Sequence, residues 1–254
     1  MPSDSVQRFS NRVDSYAKYR PSYPPAVIAC LQSEAGLTPQ TVVADVGAGT
    51  GLLTKLLLDN GSTVYAVEPN AGMRQAAEAA FGGYPKFHSI DGRSDATTLP
   101  DGSVDLVTAA QAFHWFEPMA ARSEFRRILR PPHWVALIWN ERRHATPFMQ
   151  AYERLLDSYG TDYRQVDHKY ASDNPAIGRF FAPSGFREFN FPNEQVLDFG
   201  GMVGRLASTS YMPAPSDEGY GALLAQAQAL FEQYAEEGKV RIEYETKVYL
   251  GQLG

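Results

Sequence analysis

The sequence predicts an α/β fold built on a mostly parallel sheet, and two observations carry this. Val42 to Val46 is an apolar run without polar alternation, the pattern of a strand buried on both faces. It leads into Gly47-Ala48-Gly49-Thr50-Gly51, after which Leu52, Leu53, Leu56 and Leu57 recur at helical spacing. A second apolar run, Thr63 to Val67, closes on Glu68. Strand, glycine loop, helix, strand and acid, in that order, form the unit from which nucleoside and dinucleotide sites are built.

Crowding explains the glycines. At alternate positions they let the backbone turn tightly and let a ligand lie directly against it. Amides at the start of the following helix favour a negatively charged group. Glu68, at the end of the second strand, is placed to accept both hydroxyls of a ribose. The nicotinamide fingerprint would require a glycine at position 52, where the chain has Leu52. A nicotinamide-dependent oxidoreductase is therefore the weaker reading.

Composition narrows the field. A chain of 254 residues with 44% hydrophobic content can build one substantial core with a small attached lobe. No apolar run is long enough to span a membrane. The opening MPSDSVQRF lacks the pattern of a secretory signal. Cys30 stands alone among Val27, Ile28 and Leu31, as a small core hydrophobe would. A cytoplasmic location is the expectation. With net charge −6 and no basic block, the chain offers no concentrated surface for nucleic acid. A small metabolite is the expected partner, and no metal site is predicted. Whether the chain is a monomer or homodimer is left open.

The remaining elements follow in order. Arg8 to Pro25 holds three tyrosines and several arginines, with a short helix expected to about Lys18, a turn at Arg20-Pro21, and a helix from Pro24 to about Glu34. Ala71 to Ala80 reads as a helix capped by Asn70. Phe87 to Ile90 is the third strand and Val104 to Thr108 the fourth. The run Gln111-Ala112-Phe113-His114-Trp115-Phe116 follows the fourth strand, at the edge where open parallel sheets bind ligands. His114 is open to two readings: a buried core histidine, or a base, donor or wall at the site.

Glu117 to Leu129 is the next helix. Its arginines at positions 122, 126 and 130 read as a solvated stripe. Val135 to Trp139 is the fifth strand, and Asn140-Glu141-Arg142-Arg143-His144 follows it at the ligand edge. A guanidinium there matches a carboxylate bidentately, and solvated charge is the competing reading. Pro147 to Tyr159 is helical, Tyr163 to Pro175 irregular. Gly185 to Phe191 is the sixth strand, Glu194 to Leu206 and Asp217 to Glu237 are helices, and Val240 to Tyr249 alternates as the last strand.

Gly-x-Gly-x-Gly directly after Asp45 resembles motif I of the class I S-adenosylmethionine-dependent methyltransferases. The resemblance covers nearly the whole chain, most strongly Asp45 to Asn70 and Asp91 to Phe116. It implies one Rossmann-like domain over residues 1–254: a seven-stranded, mostly parallel sheet with helices on both faces. Within it lie an N-terminal lid segment (1–35), a cofactor-binding core (36–192), a helical cap between the last two strands (193–238) and a terminal strand at or beside the sheet edge (239–254).

S-adenosyl-L-methionine, leaving as S-adenosyl-L-homocysteine, is the implied cofactor. Its implied contacts are Asp45, Gly47, Ala48, Gly49, Gly51, Glu68, Pro69, Ser94, Asp95 and Gln111, with Asp95 favoured over Asp91 for the adenine amino group. The turn Pro131-Pro132-His133 departs from the family's usual Pro-Gly-Gly. The N-terminal stretch and the aromatic-histidine-tryptophan run resemble a subgroup that includes proteins similar to trans-aconitate methyltransferase. That resemblance makes Tyr16, Tyr19, Arg20, Phe113, Trp115, Arg142 and Tyr211 candidates for the acceptor pocket, Arg142 ahead of Arg143, and His114 the candidate catalytic residue. A binding module without transfer activity remains a further alternative.

Overall fold

The computed structural model describes residues 18–161, 175–209 and 211–254. Tyr16 and nearly all of the irregular stretch expected from Tyr163 lie outside the described residues.

The glycine-loop unit forms as its sequence pattern dictates. Strand β1 (Val42–Val46) leads through the loop into α2 (Leu52–Asp59), and β2 (Thr63–Val67) follows; α1 (Ala26–Ala35) precedes them. The chain continues through α3 (Ala71–Phe81), β3 (Phe87–Ile90), β4 (Val104–Ala110), α4 (Pro118–Ile128) and β5 (Leu129–Arg142). Then come α5 (Pro147–Tyr159), α6 (Pro175–Phe181), β6 (Phe186–Leu197), α7 (Phe199–Ala207), α8 (Tyr220–Tyr234) and β7 (Val240–Gln252). Several helix starts are fixed by side chains that accept otherwise orphaned amides: Asn70 from Met73, Thr146 from Met149, and Asp198 from Gly201.

The sheet has seven strands in the order β3-β2-β1-β4-β5-β7-β6. The pairs among the first five are parallel, and β7 runs antiparallel between β5 and β6. Side chains alternate across the pleat, so each strand feeds two cores. Val43, Leu106 and Ile138 pack with Leu53 and Leu57 of α2 and Val27 and Leu31 of α1. Val46, Val107 and Leu137 pack on the other face with Phe125 and Ile128 of α4 and Phe180 and Phe181 of α6. Each fully buried leucine or phenylalanine stabilises the fold by about 2 kcal/mol.

A third core holds the helices between the last two strands. Met202 and Leu206 of α7 and Leu223, Ala227 and Leu230 of α8 close on Met149, Tyr152 and Leu156 of α5 and on Ile242 and Tyr244 of β7. The sequence placed α5 outside this group. Its buried face shows that it belongs there.

Three expectations need correction. The sixth strand does not end at Phe191, and the next helix begins at Phe199 instead of Glu194. Pairing with β7 holds the extra residues extended, from Pro192 opposite Glu245 to Leu197 opposite Val240. Pro192 fits because β6 is an edge strand. Helix α6 was not foreseen, although it plants Phe180 and Phe181 in the core with no measurable exposure. The arginine stripe on and after α4 is not simply solvated: Arg122 donates to the carbonyls of Phe180, Ala182 and Gly254, and Arg130 pairs with Asp105. Among the described residues no helix is long and apolar enough to cross a membrane.

Candidate cofactor and acceptor site

The loop after β1 is fixed from below. Asp45 is 1% exposed and sits opposite Thr108 in the register of β1 and β4. Its carboxylate accepts from the hydroxyls of Thr54 at 2.7 Å and Thr108 at 2.8 Å, tying β1 to both α2 and β4. Burial outweighs these hydrogen bonds and pushes its pKa up to about 6. Gly51, at φ +87°, lies under Phe81: a Cβ there would meet the ring at 2.4 Å. This glycine lets α3 approach the loop. Gly49 faces open space instead and is the point where a ligand can lie against the backbone.

Glu68 stands at the end of β2 with its carboxylate turned to the loop. It accepts the amides of Gly49 at 3.0 Å and Asn70 at 2.9 Å. Burial raises its pKa against the pull of those amides and of the Arg74 charge. Arg74 joins the ends of β2 and β3, donating to the Glu68 carbonyl and to Asp91. The two candidate adenine acids are thus both paired, Asp91 with Arg74 and Asp95 with Arg93 in a two-bond fork at 3.0 and 2.8 Å. Asp95 and Ser94 lie on the loop after β3, which Glu124 of α4 anchors by accepting the amide and hydroxyl of Thr97.

Two small cavities meet at the carboxyl edge of the sheet. One, of about 40 Å³, is lined by Asp45, Gly47, Ala48 and Gly49 of the loop together with Ala110 and Gln111 after β4. The other, of about 30 Å³, is lined by Arg20, Asn140, Arg142, Arg205 and Tyr244 among others. Tyr23, Leu52 and Gln111 line both. Gln111 adopts φ +53°, and its amide nitrogen donates to the Asn140 carbonyl at 2.9 Å. Its carbonyl oxygen is buried with no hydrogen-bond partner. A buried orphan acceptor in the wall between two cavities is the atom that a donor-bearing ligand would satisfy.

Residues 19–23 are held between cap and sheet. The Tyr19 carbonyl accepts from Gln195, Arg20 donates to the Ser208 carbonyl at 3.1 Å, and the Ser22 carbonyl accepts from Asn140 and Asn193. The Tyr19 ring lies against Gly204 of α7, where an added Cβ would meet it at 2.4 Å. Arg142 is nearly buried and donates to Glu153 at 3.3 Å, whereas Arg143 is exposed.

The aromatic run after β4 divides. Phe113 is 2% exposed and packs edge-on against Trp139 and Phe180, so it belongs to the core. His114 and Trp115 are exposed, with ring centroids 5.0 Å apart. Though open to solvent, the imidazole is crowded by protein and faces the Arg20 charge, and its pKa is pushed down to about 4. Tyr211 is buried in the cap core within electrostatic reach of Arg142.

Sequence reading missed Tyr23, Asn140 and Arg205. Tyr23 carried no distinguishing signal, and Asn140 only its place at the ligand edge. Arg205 did: it falls in helical phase with Met202 and Leu206, where a core-facing apolar residue is expected.

Comparison with known proteins matches the same stretch. The Methyltransferase domain family matches residues 44–137. An uncharacterised methyltransferase of Mycobacterium tuberculosis is 40% identical over 161 residues, 63% of this chain and 63% of that protein. A methyltransferase-like protein of Schizosaccharomyces pombe is 30% identical over 175 residues, 68% of this chain and 67% of that one. Among solved structures, a proposed type II methyltransferase of Anaeromyxobacter dehalogenans shares the fold at TM-score 0.68 and 22% identity, covering 92% of this chain and 98% of that one. A geranyl diphosphate C-methyltransferase of Streptomyces coelicolor, solved with S-adenosyl-L-homocysteine, shares it at TM-score 0.50 and 13% identity, over 90% and 79% of the two chains. With the glycine loop, its anchoring aspartate and the acid after β2 in place, this chain belongs to the class I S-adenosylmethionine-dependent methyltransferases.

Proposed function

We propose that the chain transfers a methyl group from S-adenosyl-L-methionine to an oxygen, nitrogen or carbon nucleophile of a small, partly apolar metabolite bearing a carboxylate. Within the family we place it in the subgroup similar to trans-aconitate methyltransferase. The observation that carries the reading is the junction of the two cavities at Tyr23, Leu52 and Gln111. One cavity touches the glycine loop, the other is lined by arginine and tyrosine, and the three residues that border both would set donor and acceptor side by side.

The residues present fit the cofactor. Glu68 offers a half-buried carboxylate to ribose hydroxyls, and the orphan oxygen of Gln111 suits the ammonium of the methionine part. Gly49 leaves space beside the loop. When bound, the cofactor supplies an activated methyl group and a neutral leaving group, so the chain has no leaving group to protonate.

The work left to the protein is orientation and exclusion of water. Tyr23 and residues 19–22 wall the pocket on one side and Trp115 stands near His114 on another. His114, with its pKa near 4, is neutral close to pH 7. A base that weak removes a proton from a phenol or amine poorly, so His114 would orient the acceptor instead of deprotonating it. A carboxylate nucleophile would need no base at all.

Calorimetric titration with S-adenosyl-L-homocysteine, with NADH in parallel, tests the cofactor; methyl transfer to a panel of small acids and their neutral esters tests the acceptor. One-site binding of the homocysteine compound and preferential turnover of acids are expected. Binding of NADH alone would overturn the reading. Binding without turnover of any acceptor would favour the non-catalytic module.

A further inference from the structure

We propose that Arg205, from cap helix α7, is the centre of a carboxylate-binding pocket completed by Arg20 and Arg142 beside the glycine-loop cavity, a proposal that rests on the methyl-transfer reading above. Arg205 is 3% exposed. Its hydrogen bonds among the described residues go to two neutral hydroxyls: Nε donates to Tyr244 Oη at 3.2 Å and Nη1 to Ser208 Oγ at 3.4 Å. Among the described residues, the groups with the largest effect on its charge are the hydroxyls of Tyr244, Tyr152 and Tyr211 and the positive charge of Arg142, none of them a carboxylate.

Such a group is expensive. A guanidinium does not shed its proton, and a buried ion without a counterion costs several kcal/mol. Buried arginines are therefore found paired with anions. Arg205 instead adds its charge to a cavity wall that already holds Arg20 and Arg142, and no acid among the described residues lines that cavity. Glu153 is shared between Arg142 at 3.3 Å and His144 at 3.6 Å. Arg205 is thus a buried cation whose companions in the cavity wall include two further arginines, and the partner that would balance its own charge is an anion.

The cavity also sets the kind of anion. At about 30 Å³ it admits a small head group, more than the roughly 10–15 Å³ that one water needs. The flat donor forks of arginine match a carboxylate with two bonds at once. Tyr244 and Asn140 add neutral polar atoms to the wall, and the shared boundary at Tyr23, Leu52 and Gln111 leads to the loop cavity. Two molecules carry a carboxylate to this place: the acceptor, or the cofactor through its own α-carboxylate.

The test is binding to the full chain, read by calorimetry and by thermal shift. Wild-type protein saturated with S-adenosyl-L-homocysteine is titrated with benzoate against benzamide and glutarate against glutaramide. Free protein is titrated with S-adenosyl-L-homocysteine against 5′-methylthioadenosine, which lacks the carboxylate. Each comparison is repeated with Arg205→Met, with Tyr244→Phe as the control that keeps the charge and loses the hydroxyl. Arg205→Met is expected to cost about tenfold or more in affinity for a carboxylate and nothing for its neutral counterpart.

If the loss falls on benzoate or glutarate, the anion is the acceptor's. If it falls on S-adenosyl-L-homocysteine while methylthioadenosine is unaffected, it is the cofactor's. Carboxylate affinities unchanged by Arg205→Met overturn the proposal, as does a loss that Tyr244→Phe reproduces. Should Arg205→Met fail to fold, the wild type still decides: equal binding of each acid and its amide, together with equal binding of the two nucleosides, overturns it. Failure of wild-type protein to bind either nucleoside strikes the methyl-transfer reading, and the free protein's acid-against-amide preference then tests the pocket alone.

Discussion

The carboxylate of Glu68 accepts the amide of Gly49 at 3.0 Å, so the acid we propose for the ribose also holds the glycine loop in position. The amide of Asn70, at 2.9 Å, shares the same carboxylate. One side chain thus joins the loop after β1 to the start of α3. Charged acceptors of this kind are worth about 1.5–3 kcal/mol each. Glu68→Ala should weaken S-adenosyl-L-homocysteine binding by about tenfold or more, with the far-ultraviolet circular dichroism spectrum unchanged. Glu68→Gln, which keeps an acceptor oxygen, should fall between. Calorimetric titration of both variants measures this, and unaltered affinity would reduce Glu68 to a brace for the loop.

Asp45 gives the fold a pH dependence of unusual sign. Its pKa in the folded protein is pushed up to about 6, from an ordinary value of 3.8. The native state therefore binds the extra proton between those values, and stability falls as pH rises through the window. The shift corresponds to a loss on the order of 3 kcal/mol. Urea denaturation of the wild type and Asp45→Asn at several pH values across the window should show a downward slope that the variant lacks. Equal slopes would mean that the carboxyl ionises as freely in the folded chain as in the unfolded one.

Glu124 acts with the opposite sign. Arg127 and the amide and hydroxyl of Thr97 hold its pKa down to about 2, from an ordinary 4.5. Its contribution is complete above the unfolded value and lost as pH falls toward the folded one. Glu124→Gln should lower the melting temperature near neutral pH and blunt the further loss below about pH 4. A scan of melting temperature against pH for both proteins separates this effect from that of Asp45.

Legibility followed periodicity. The alternation of buried strands and amphipathic helices from Val42 to Trp139 is local, so the first five strands could be read from the chain, whereas their order in the sheet could not. What failed was decided by distant partners. The extension of β6 to Leu197 depends on its ladder with β7, and α6 is held by a core contributed by α4 and β5. Site residues divided in the same way. Glu68 and Gln111 occupy strand ends, which pattern reveals; Phe113, one step on, turns into the core because Trp139 and Phe180 surround it. Arg205 was visible only as a charge in an apolar phase.

The tight seat of Tyr19 on Gly204 offers the clearest test of the N-terminal wall. An added Cβ at Gly204 would meet the ring at 2.4 Å, and the obstructing atoms belong to a ring rather than to a pliant chain end. Helix α7 cannot yield cheaply, because Met202 and Leu206 seat it in the cap core, whereas residues 19–20 are held mainly by the bonds of Arg20 to Ser208 and of the Tyr19 carbonyl to Gln195. Gly204→Ala should therefore displace residues 19–20 instead of distorting α7. The expected cost is about 1–3 kcal/mol of stability, in the range of overpacking. Because the wall borders the proposed acceptor side, KM for a turned-over acceptor should rise more than affinity for S-adenosyl-L-homocysteine falls. Limited proteolysis provides a structural readout: cleavage in this stretch should quicken in the variant, and the smaller Tyr19→Ala change, combined with Gly204→Ala, should restore the melting temperature in part. An additive loss in the double variant would show that the two residues do not compete for the same space.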